Sequence, residues 1–148
     1  MPVLVLLFYC CMLVLPLAAT ADDPYERLAR VKSLKCQFSA GMSGDWKNGV
    51  LEVKKDHLEG SLHFDSIDLK AGRARLIGNI GSNDVGVVTT GGSITFLERT
   101  SSGNFVFTSV FPEYKKGTSE FIVVTSRHIM FWGGPIPSQH YGTCQVWE

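Results

Sequence analysis

Charge is missing from the opening of this chain: the first charged side chain is Asp22. Later charges form no run of one sign, since 14 Lys and Arg balance 14 Asp and Glu for a net charge of +0. Without a basic stripe nothing drives counterion release from a phosphate backbone, so no nucleic-acid partner is expected. Cysteine is equally scarce. Four occur, and Cys10 and Cys11 lie in the uncharged opening stretch. Tyr9 is too large for the position before a lipidated cysteine, which argues against a lipoprotein. No Asn-x-Ser/Thr acceptor is present. His57, His63, His128 and His140 show none of the familiar ligand spacings, so neither a metal site nor a cofactor is expected. A Gly-x-Ser-x-Gly elbow is also lacking, and no catalytic residue stands out.

What is there begins with a leader. Residues 3–19 are almost uninterruptedly apolar, broken by Pro16, and Ala19-Thr20-Ala21 meets the small-x-small rule of signal peptidase. The reading is a signal peptide over 1–21 and one β-barrel domain over 22–148, exported to the periplasm or secreted, with no stable membrane span after cleavage. The rival is an uncleaved anchor, at the lower length limit for spanning a bilayer.

Asp23-Pro24-Tyr25-Glu26 opens a helix of about ten residues, with a cap, a proline at the first helical position and an apolar stripe of Tyr25, Leu28 and Val31. From Leu34 onward the apolar period is two. Strands are predicted over 34–40, 50–55, 61–69, 73–80, 84–90, 93–100, 104–111, 118–126 and 141–147, separated by Gly, Ser and Asn turns that suit antiparallel neighbours. Asn48-Gly49 reads as a hairpin turn, and Glu59-Gly60 as a second one that could bring His57 near His63. Leu62 and Phe64 share one parity while Ile67 and Leu69 share the other, which predicts a bulge near Asp65 or Ser66. The strand at 118–126 is apolar on both parities and is expected to be covered on both faces, one of them by the helix. Pro135 and Pro137 predict an irregular crossing over 133–137.

Without the leader, Cys36 and Cys144 have only each other. An oxidising destination favours a disulfide between them, the alternatives being two buried thiols or an intermolecular bridge. A bridge between the first and last strands cannot form across an open meander, because eight strand spacings far exceed the separation that a disulfide allows. Pairing would thus give an up-and-down barrel or a sandwich folded back on itself, and the expected fold is all-β: a closed antiparallel meander barrel of about 8–9 strands with a short N-terminal helix. It resembles the lipocalin-like barrels in architecture alone. The predicted first strand carries no Gly-x-Trp, and no functional residue carries over.

Phe64, Phe96, Phe105, Phe107, Phe121, Phe131 and Trp132 are expected to fill the barrel. The sharper expectation is that Phe96, Phe107 and Trp132 line a pocket with Arg127, His128, Ser138 and Tyr141 as its convergent polar groups. The leading function is thus binding of a small hydrophobic or amphipathic ligand or a cell-envelope component. The alternative is a non-enzymatic envelope interaction protein with a filled barrel, working through residues 133–141. A secreted hydrolase pairing Ser126 or Ser138 with His128 or His140 comes third. Arg73 and Arg75 share a strand face that could cradle an anion, though a solvated outer face is the simpler reading. Composition does not address the oligomeric state.

Overall fold

The computed structural model describes residues 23–78, 81–112, 118–132 and 134–147. The expected leader and its cleavage site lie outside these residues, as does most of the polar loop after Pro112. Helix α1 (Pro24–Ala29) starts as predicted: Asp23 caps it by accepting from the Tyr25 amide at 3.1 Å, and Pro24 takes the first turn. It is shorter than the expected ten residues. Leu28 and Val31 are buried and seal one end of the barrel, whereas Tyr25 remains exposed beside Gly92.

The strands are β1 (Leu34–Lys47), β2 (Val50–Lys55), β3 (Ser61–Asp68), β4 (Arg73–Gly78), β5 (Gly81–Thr90), β6 (Ser93–Arg99), β7 (Phe105–Phe111), β8 (Phe121–Phe131) and β9 (Gly134–Val146). All pairs are antiparallel, and β9 returns to β1. Eight strands thus close into a barrel, with β2 as an extra strand. Cys36 and Cys144 are register partners in the closing pair and form a disulfide.

Several boundaries differ from the sequence reading, each for a local reason. β1 does not stop at Ala40. A register shift between Phe38 and Ala40 bends it, and the strand runs on to the Asn48-Gly49 turn, where both residues take positive φ. The longer strand includes Gly44-Asp45-Trp46, a Gly-x-Trp spacing at its far end, where Trp46 is exposed and seals no core. β1 is long enough to hold two neighbours on one side: Leu34 to Gln37 pair with β3, and Met42 to Lys47 pair with β2. β2 and β3 are therefore not a hairpin, and Glu59-Gly60 does not bring His57 to His63. The bulge falls where parity placed it, with Ser66 at φ 51° between Asp65 and Asp68.

β9 corrects the largest misreading. Pro135 pairs with Met130 and Pro137 with His128, so 134–137 belong to the sheet rather than to an irregular crossing. Pairing of β9 with β1 ends at Ser138. Beyond it β9 has a single neighbour, and a missing N–H on the open side breaks no ladder bond. Strand β8 is not covered on both sides: Phe121 and Val123 are buried inside, while Ile122 and Val124 are half-buried on the outer wall.

The core is one contiguous cluster that includes Leu28, Leu34, Cys36, Phe64, Ile94, Phe96, Phe121 and Val123. Phe64 of β3 and Phe96 of β6 stack across the lumen with ring centroids 3.9 Å apart. Of the seven aromatics expected to fill the barrel, Phe64, Phe96 and Phe121 do so. Phe105, Phe131 and Trp132 are exposed, and Phe107 is half-buried on the outer wall. Alternation puts every second side chain outside, and β8 and β9 outrun the wall they belong to.

Candidate functional site

Along the inward face of β8 the side chains run Phe121, Val123, Thr125, Arg127, Ile129 and Phe131. They pass from the apolar end sealed by α1 to a polar middle and then to a second apolar stretch. The middle is hydrogen-bonded: Thr108 and Thr125 share a buried bond of 2.9 Å. His140 is buried on the same side, and its Nε2 lies 3.1 Å from Asp56 Oδ2. Asp56 is fixed by its own N–H donating to the Gly41 carbonyl at 3.0 Å and by accepting from the His57 amide at 2.9 Å. This pair pins the segment after β2 onto the β1–β9 seam. Full burial keeps His140 from reaching a substrate, so its role is structural.

Above this layer the mouth of the barrel holds a cleft of about 280 Å³. Ser43, Asp45, Lys54 and Asp56 come from the β1–β2 side. Arg127, Ile129, Phe131, Ile136 and Ser138 come from the β8–β9 hairpin. Arg127 and Ser138 are register partners and share this face. The Arg127 side chain makes no hydrogen bond or ion pair among the described residues.

The other face of the hairpin forms a second, mainly apolar groove of about 350 Å³, lined by Phe105, His128, Met130, Pro135 and Pro137 among others. Asn104 Oδ1 accepts from the Met130 amide at 2.9 Å and ties the hairpin to β7. The tip that ends both grooves is exposed: Met130 is 65% exposed, Phe131 61%, and Trp132 fully.

Neither a protein-family model, nor a curated protein, nor a solved structure matches this chain. The site therefore rests on its own geometry.

That geometry divides the seven residues expected to share one pocket. Arg127 and Ser138 meet in the mouth cleft. His128 and Phe107 meet on the outer wall with ring centroids 5.6 Å apart. Tyr141 is also outside, its hydroxyl donating to Gln139 Oε1 at 2.7 Å. Phe96 is core, and Trp132 is at the tip. The barrel wall separates them, so no single ligand contacts all seven. Asp45 escaped notice because residues 41–47 read as a loop; Lys54 was read only as part of the strand over 50–55, and Asp56 fell in the turn region after it. The inward position of His140 was not read, because the predicted last strand began at Tyr141, whereas β9 starts at Gly134.

Among the described residues the serine–histidine pairs expected of a hydrolase make no hydrogen bond. Ser126 Oγ accepts from Gln139 Nε2 at 3.1 Å. Ser61 and His63 do bond at 2.9 Å within β3, but no carboxylate backs His63 among the described residues, and its ring lies against Trp147. Arg75 is bound by Asp65 through contacts of 2.8 and 2.6 Å, leaving no open anion cradle with Arg73. Among the described residues no three of His, Cys, Asp and Glu gather as a metal site would require.

Proposed function

We propose that this is an exported, non-enzymatic envelope protein with a filled barrel that docks on a membrane surface through the tip of its β8–β9 hairpin. One observation carries the reading: Met130, Phe131 and Trp132 are exposed together at the end of a projecting hairpin, where a monomeric soluble protein rarely leaves contiguous apolar area. The tip is convex, which suits a lipid interface. Trp, with an apolar body and one polar N–H, favours that boundary. No residue from Ile129 to Ser138 is charged. Behind them Lys54, Lys55 and Arg127 have no ion-pair partner among the described residues and complement anionic headgroups. The disulfide suits the oxidising space outside the cytoplasm.

Cosedimentation with phosphatidylcholine–phosphatidylglycerol vesicles tests this. Binding is expected for the purified protein and is expected to be lost in a folded Phe131→Ser/Trp132→Ser variant. Absence of binding, with a photo-crosslinker at position 132 capturing only protein, would replace the membrane with a protein partner.

A second reading, a small amphipathic ligand in the mouth cleft, is favoured by Arg127, which faces Ile129, Phe131 and Ile136 without a partner. Melting of delipidated protein with and without an extracted lipid pool checks it: an unchanged transition removes it. Phe64 and Phe96 occupy the lumen itself and leave that place to no ligand.

A further inference from the structure

The end of the barrel opposite the hairpin carries a feature that hairpin docking does not use. A cleft of about 520 Å³ lies between α1, the linker to β1 and the end of β9, lined by Arg27, Arg30, Val31, Lys32, Val146 and Trp147 among others. Among the described residues its charged side chains are all cationic. Its walls are built rather than incidental: the Trp147 amide donates to the Ser33 carbonyl at 3.4 Å, and the Ser33 hydroxyl donates back to the Trp147 carbonyl.

Arg27 is the anomaly. Its guanidinium lies over the Phe121 ring, 4.8 Å from the centroid, while Nε and Nη2 are buried with no hydrogen-bond partner among the described residues. A ring face offsets only part of the cost of desolvating a cation, so the guanidinium leaves an uncompensated positive charge against the wall of the cleft. Lys32 adds a second positive charge. The space far exceeds what a bare oxyanion needs, and Val31, Val146 and Trp147 give it an apolar wall.

We propose that this cleft binds an anionic amphipath, its oxyanion held by Arg27 and Lys32 and its apolar body lying on Val31, Val146 and Trp147. The two ends of the barrel are independent, so loss of hairpin docking leaves this site intact, and the reverse holds.

The test is titration of the purified full chain with dodecyl phosphate below its micelle concentration, followed by calorimetry. Saturable binding is expected, weakened at least tenfold by Arg27→Gln, less by Arg27→Lys, and weakened by added salt. Dodecanol and dodecyltrimethylammonium are expected not to bind. Phosphatidylglycerol vesicles offered to the Phe131→Ser/Trp132→Ser variant separate the two sources of the anion. Arg27-dependent vesicle binding indicates a bilayer lipid, and binding of the soluble monomer alone indicates a free amphipath. No binding in either arm, or binding indifferent to Arg27→Gln in a folded variant, would overturn the proposal. A second measurement guards against misfolding: Arg27→Leu, which removes an unpartnered buried cation, is expected to raise the melting temperature of the ligand-free protein. A lowered melting temperature would mean that Arg27 serves the fold rather than a ligand.

Discussion

Phe64 and Phe96 face each other from strands β3 and β6, ring on ring with centroids 3.9 Å apart, and so bridge the lumen. Both are fully buried. Truncating Phe96 opens a hole that backbone closure on all sides keeps from collapsing. Phe96→Ala is expected to cost about 3–5 kcal/mol. Chemical denaturation measures it. A cost under about 1 kcal/mol would mean a loosely filled lumen and would restore the internal-ligand reading.

Cys36 and Cys144 close a loop with a sequence separation of 108. Long loops gain most from a cross-link in the chain-entropy account, so the double change Cys36→Ala/Cys144→Ala is expected to lower stability by about 2–5 kcal/mol. Thiol titration of the denatured chain from residue 22 onward should find no free cysteine. Two titratable thiols would contradict the closing bond.

Gly142 stands where β9 passes the bulge in β1. A methyl group there would overlap the Gln37 carbonyl, which is backbone and cannot swing aside. Gly142→Ala should destabilise by about 1–3 kcal/mol or more, through the seam that closes the barrel. Gly78→Ala is the control, since a Cβ at Gly78 meets nothing within 4 Å. Equal thermal shifts for the two variants would show that the seam is not tight.

Asp65 and Arg75 form a two-point ion pair on the outer wall, and Arg75 holds the Asp65 carboxyl below the ordinary aspartate range. A carboxyl lowered in the folded state stabilises it above the unfolded pKa of about 3.9, and that contribution is lost as pH falls through the lowered folded value. The effect is small at an exposed site. Carboxyl NMR titration should show Asp65 below its ordinary value in the native protein and back near it in Arg75→Ala. An Asp65 titration that ignores Arg75→Ala would break this assignment.

Much of the fold is legible in local residues. Asp23-Pro24 starts the helix, Asn48-Gly49 turns the first hairpin, and the parity change after Phe64 marks the bulge at Ser66, because caps, turns and pleats are decided within a few residues. Cys36 near the start and Cys144 near the end of a period-two stretch, once paired, call for a sheet closed on itself. The seven-residue pocket was not legible. Alternation says which residues share a face of one strand, but not where a neighbouring strand ends. Only the tertiary structure shows that β1 runs past Ala40 and takes β2 and β3 as successive partners. It also shows that pairing of β9 with β1 stops at Ser138, which admits Pro135 and Pro137 to the sheet and lets the hairpin project. Those end points send Arg127 and Ser138 into the mouth, His128 and Tyr141 outside, and Trp132 to the tip. The physical reason is register: a strand's own sequence sets its two faces, and the lengths of its neighbours decide what each face meets.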